Sequence, residues 1–156
     1  MWRASDRGAG VVTVDAPSAQ ALIGHLASTN AATKNLRIEM KTPFTAITLG
    51  ALDGQPIATS VKLLLMIGSR TANTGMEWNE KRTSLEKWGK APVRLEPVEG
   101  KVILRGLEKA TRVTAQPLDG DGAPLGDAIM LVNSNGAWSL DLGQPATPWY
   151  VLNVAR

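Results

Sequence analysis

Trp78 and Trp88 are the side chains of this sequence best suited to recognition chemistry. Trp78 is flanked by Glu77, Asn79 and Glu80, and Trp88 by Lys87, Gly89 and Lys90. An indole set among polar residues is a flat apolar plate with one N–H donor, suited to stacking on a sugar ring or a partner. Glu77, Asn79 and Arg82 add acceptors and donors that suit hydroxyl groups. The chain holds five tryptophans against one phenylalanine, Phe44, and one tyrosine, Tyr150. Trp138 alternates with Leu140 and Leu142, which marks it as core. Trp149 lies opposite the more apolar face of Tyr150, Leu152 and Val154, so a buried and a half-exposed position both stay open. Trp2 either joins a first strand or hangs at the end. For Trp78 and Trp88 the competing reading is that both rings fold down as lids on the sheet ends.

Catalytic constellations are weaker. Glu77 with Glu80, or Glu96 with Glu99, has the composition of a glycosidase carboxylate pair, yet such pairs arise by chance among 14 acidic residues. His25 is the only histidine and no cysteine is present. Thiol catalysis, disulfides and His/Cys zinc sites are therefore excluded. A serine triad would need His25 and lacks the Gly-x-Ser-x-Gly elbow. Asp119 and Asp121 offer oxygen ligands for a structural calcium, but without EF-hand spacing an ordinary turn is favoured. No cofactor is expected.

The chain has 156 residues, 44% hydrophobic and 20% charged, the size and composition of one globular domain. The net charge of +3 reads as dispersed, with its densest group from Lys81 to Arg94. That is a faint footprint for nucleic acid, which is not an expected partner. No apolar run approaches the roughly 20 residues that span a bilayer, so no membrane is expected either. The start, Met1 to Ser5, has no signal-peptide core. The chain therefore reads as cytoplasmic or as a piece of a longer secreted protein.

The elements that must position these residues are mostly strands. Gly10–Val14 reads as the first. Asp15 as N-cap, Pro17 in the first turn, and Ala19, Leu22, Ile23 and Leu26 at helical spacing predict a helical insert of two to three turns. Ser28–Asn35 reads as a loop. Leu36–Met40 alternates as a half-buried strand, and Phe44–Leu52 follows as another. Asp53-Gly54 signals a tight turn. The run Val61–Ile67 predicts a central strand covered on both faces. Periodicity vanishes from Asn73 to Pro92, a long polar loop holding both candidate indoles. It returns at Val93–Leu95, Lys101–Leu104, Arg112–Leu118, Ile129–Val132, Ala137–Leu142 and Trp149–Val154, with turn signals at Asp119–Gly122 and Asn133–Gly136. About ten short strands without crossover helices predict an all-β, antiparallel β-sandwich or jelly roll with one short helical insert, in a single domain over residues 1–156.

Four segments carry a family resemblance: GVVTVDAPSAQALIGH (10–25), LDGQPIATSVKLLLM (52–66), NTGMEWN (73–79) and WGKAPVRLEPVEGK (88–101). In this order they resemble the C-terminal β-rich ancillary domains of large secreted bacterial glycoside hydrolases of the cellulase type. The resemblance implies a carbohydrate-binding-module-like domain, non-catalytic by itself, with a catalytic barrel in cis and a polysaccharide or oligosaccharide as ligand. It also implies a secreted, extracellular setting as part of a longer enzyme acting on cellulose or hemicellulose. The barrel's catalytic glutamates have no counterparts here. The binding residues proposed, Trp78, Trp88, Asn79, Glu77 and Arg82, rest on the indole argument alone. The alternative is a structural β-sandwich domain that packs on the barrel, stabilises it and binds no glycan.

Overall fold

Two antiparallel sheets, of eight and four strands, and two two-stranded ribbons build the protein. The computed structural model describes the backbone of Trp2–Ala4 and residues 10–156 in full. The first half supplies β1 (Trp2–Ala4), β2 (Gly10–Asp15), β3 (Ala19–His25), β4 (Leu36–Met40), β5 (Phe44–Ala51) and β6 (Lys62–Gly68). Then come β7 (Thr71–Thr74), β8 (Glu77–Trp78), β9 (Leu85–Lys87) and β10 (Lys90–Leu95). The last third adds β11 (Gly100–Leu104), β12 (Arg112–Leu118), β13 (Ile129–Met130), β14 (Val132–Ser134), β15 (Ala137–Leu142) and β16 (Trp149–Ala155). The large sheet runs β1-β2-β3-β5-β6-β16-β12-β13 and the small one β14-β15-β11-β4. The fold is all-β, as expected.

Alternation explains the burial. Leu36, Ile38 and Met40, with Val102, Leu104, Trp138, Leu140 and Leu142, form the inner face of the small sheet. Leu22, Ile47, Leu49, Leu63, Leu65, Val113, Tyr150 and Leu152 do the same for the large one, and both sets belong to one hydrophobic cluster. Ile57, in the β5–β6 connection, is also fully buried in it. Beneath one end, Gln20 Oε1 accepts from Thr33 Oγ1 at 2.7 Å and from the Asn35 amide at 3.0 Å, and Asn35 Nδ2 donates to the Arg105 carbonyl at 2.9 Å. These buried polar groups thus have partners.

Three sequence expectations are corrected. The helical insert is strand β3, and the only helical turn among the described residues is a 3₁₀ turn over Leu26–Ser28. The apolar spacing fits both periods, but strands β2 and β5 bond β3 from either side, and a lone short helix is marginal in water. Gly24 adopts φ +143°, and a Cβ there would sit 2.2 Å from the Gly10 carbonyl oxygen, so β2 packs where only glycine leaves room. Strand β6 is central but not covered twice: Leu63, Leu65 and Ile67 face the core while Leu64 is partly covered and Met66 lies exposed. Ile129–Val132 is not one strand either, because the chain changes sheets at buried Leu131, whose N–H donates to the Val113 carbonyl. The Asn133–Gly136 signal holds, with Asn135 and Gly136 both at positive φ, the two-residue turn that matches strand twist.

Candidate functional site

The aperiodic stretch of the sequence is an arm rather than a loop. Strands β7 and β10 pair antiparallel, and beyond them β8 pairs with β9. No residue from Gly68 to Lys101 is buried. With so few apolar positions on this stretch, cross-strand bonds shape it and the core does not. Gly89, at φ +71°, lies where a Cβ would come 2.6 Å from the Thr74 carbonyl oxygen, so the two strands cross in contact there. Asn73 Nδ2 donates to the Trp88 carbonyl at 3.0 Å, and Thr74 Oγ1 to the Pro92 carbonyl at 2.9 Å. At the root, Ser69 Oγ bridges the Phe44 carbonyl and the Glu96 carboxylate.

All five candidate residues lie on this arm. Trp88 is 75% exposed and Trp78 46%, so neither ring is a lid over the sheet ends. Trp78 sits opposite Leu85, and Glu77 opposite Lys87, whose Nζ is 2.7 Å from the Glu77 carboxylate. Asn79 builds the tip: its Oδ1 accepts from the Thr83 and Ser84 amides at 2.9 and 3.3 Å, and its Nδ2 donates to Thr83 Oγ1 at 3.0 Å. Only one N–H of that amide is left for a ligand. Arg82 occupies the tip turn at φ +52° with its side chain in solvent. The arrangement is a ribbon with two wet indoles, a surface ion pair and a cationic tip, fit for stacking and hydrogen bonding.

The other tryptophans separate cleanly. Trp138 is core at 4% exposure. Trp149 is half-buried on the outer face of the large sheet, where its cross-strand neighbour is Met66. The backbone of Trp2 is in β1, and its side chain lies outside the described residues.

The arm also gathers the charge. Between Arg70 and Leu95 six basic residues (Arg70, Lys81, Arg82, Lys87, Lys90, Arg94) face three acidic ones (Glu77, Glu80, Glu86), a net +3. Glu96, whose amide donates to the Arg70 carbonyl at the root, lowers this to +2, so most of the chain's net +3 sits on this one ribbon. The basic residues are spread along the chain as expected, and their excess over acidic ones lies mostly on this ribbon. A count of charge by segment would have found it; the even spread of individual residues hid it.

A second feature escaped the sequence altogether. The outer positions of the large sheet form cross-strand rows, Val14-Ala21-Thr48-Met66-Trp149-Leu118 and Ala19-Gly50-Leu64-Val151-Gln116. Neither row holds a charged residue. A groove of 240 Å³ runs over Gly50 between Val14, Leu64 and Met66. Thr48 Oγ1 is buried there without a hydrogen-bond partner. The signal lay in the alternate positions of β5 and β6, uncharged on both sets once Lys62 is passed.

The remaining chemistry stays scattered. His25 is exposed and meets only the Phe44 ring, edge-on at 5.6 Å. Asp119 Oδ1 accepts from the amides of Asp121 and Ala123 at 3.0 and 2.8 Å, a turn-forming role. Among the described residues no three His, Asp or Glu side chains group as metal ligands, and no helix is long and apolar enough to cross a membrane. Compared with family models, curated proteins and solved structures, the chain matches none of them.

Proposed function

We propose that this protein is a non-catalytic carbohydrate-binding module of a secreted polysaccharide-degrading enzyme, gripping β-linked glycan on the β7–β10 arm. The two sheets, sharing one core, would form a β-sandwich that serves as the arm's base. The observation that carries the reading is the exposure of Trp88 and Trp78 on a ribbon that buries nothing of its own. An isolated two-stranded ribbon is marginal in water, so an arm of this kind needs a partner surface to justify two indoles in solvent. The four segments resembling glycoside hydrolase ancillary domains support the same reading, and two of them form most of the arm. Affinity electrophoresis in gels containing soluble glucan or xylan tests it. Retardation that weakens in both Trp78→Ala and Trp88→Ala is the expected result, and equal retardation of both variants and the parent removes the site.

The two uncharged rows on the outer face of the large sheet favour a second, compatible reading. Two rows of strand positions without charge, a shallow groove and an unpartnered hydroxyl suit packing against a companion catalytic barrel in cis. In that role Met66→Lys lowers the melting temperature of the joined enzyme and leaves glycan retention by the arm unchanged.

A further inference from the structure

We infer that the glycan taken by the arm is anionic, a polymer carrying carboxylate or sulfate groups on its sugar rings; this rests on the arm being the glycan site. Counted from Arg70 to Glu96, the ribbon that bears the exposed indoles carries +2 of the chain's net +3. A neutral ligand gives no reason for that concentration. Five of the six cations, Arg70, Lys81, Arg82, Lys90 and Arg94, make no ion pair or side-chain hydrogen bond among the described residues, and all five are exposed. Only Lys87 is held, by Glu77.

The placement suits ring-borne charges. Lys81 and Arg82 follow Trp78 by three and four residues at the tip, and Lys90 follows Trp88 by two. A sugar stacked on an indole directs its ring substituents outward past the edge of the plate, within reach of long cationic side chains a few residues away. Arginine meets a carboxylate or sulfate through parallel N–H donors, and lysine as a point charge. On β10, Lys90 lies opposite Thr74 and Arg94 opposite Ala72, about 7 Å apart along the partner strand, so they would meet successive parts of one polymer.

Glu77, Glu80 and Glu86 decide between a glycan and a nucleic acid. Interleaved with the cations, they accept hydrogen bonds from sugar hydroxyls. A glycan offers such hydroxyls on every ring, whereas a nucleic-acid strand offers at most one free hydroxyl per nucleotide, so acceptors placed among the cations suit the glycan.

Affinity electrophoresis and calorimetry with the whole protein decide the matter, using xylan and two β-linked acidic polymers, polymannuronate and cellulose sulfate, with polyuridylate, at about 50 mM and about 500 mM salt. The expected result is roughly tenfold tighter binding of polymannuronate or cellulose sulfate than of xylan at low salt, narrowing to about twofold at high salt. Whichever of the two acidic polymers is held more tightly names the anionic group. The variant Lys81→Gln/Lys90→Gln/Arg94→Gln changes only exposed side chains and leaves Arg82 of the glycan site in place. It should lower binding of the acidic polymers to the xylan level at an unchanged melting temperature. Equal retention of xylan and the acidic polymers overturns the inference and leaves the glycan site standing. Retention of no polysaccharide removes both. Polyuridylate held as tightly as the acidic glycans overturns it in favour of plain anion exchange.

Discussion

Trp88→Ala separates a ligand platform from a packing residue. Trp88 is 75% exposed. A tryptophan offers at most about 250 Å², so about 60 Å² of this one is covered by the arm. At ~25 cal/mol per Å² that cover contributes about 1.5 kcal/mol, an upper bound on the stability lost with the ring. For a chain of this length the melting temperature should fall by less than about 6 °C. The free face tells the opposite story. A pyranose lying on it hides about 100 Å², or about 2.5 kcal/mol gross, so removal of the ring should weaken binding by roughly 10- to 70-fold. Two such plates, after the entropy of association is met, suit a dissociation constant of roughly mM to tens of μM. Calorimetry of parent and variant with the best-retained polysaccharide, paired with thermal melts, reads both quantities. A variant that binds within twofold of the parent, or that melts more than about 10 °C lower, would refute the reasoning.

Other residues give further tests. Trp138→Ala, at a core position opposite Leu104, should cost about 3–5 kcal/mol by chemical denaturation. Gln20→Leu strands the Asn35 N–H and Oδ1 beneath the sheets, and a loss of about 2–4 kcal/mol is expected from the same measurement. Asp53 supplies a pH test. Desolvation alone would raise its pKa, but hydrogen bonds from the Val61 amide, Ser60, and the amides of Gln55 and Asp53 itself outweigh that and hold it below the ordinary carboxylate value. Its contribution is therefore present above about pH 4 and fades as pH falls through the lowered value. The melting-temperature gap between parent and Asp53→Asn should be clear at pH 6 and shrink below about pH 3; a gap constant with pH would show that the charge is irrelevant.

The sequence was informative wherever one periodicity had one environment. Leu36, Ile38 and Met40 alternate with Arg37, Glu39 and Lys41, and the strand has one buried and one wet face, as that pattern demands. It misled wherever a pattern served two structures. Ala19, Leu22, Ile23 and Leu26 fit a helix stripe as well as the two faces of a strand, and only the pairing of β3 with β2 and β5 chose between them. Val61–Ile67 looked buried on both faces because an outer face without charge reads like an inner one. The two-residue pieces β8 and β9 are too short to show any period, so an arm was read as a loop.

What the sequence determined by itself was the all-β class, the core role of Trp138, the Asn135-Gly136 turn and the separation of Trp78 and Trp88 from the other indoles. Those follow from alternation, turn chemistry and composition, which are properties of neighbours along the chain. Tertiary structure alone decided that the two indoles stand in solvent on a ribbon and that six strands align uncharged positions into one row. Each of these depends on which strands lie side by side and on how far a segment stands from the core, and local periodicity carries neither.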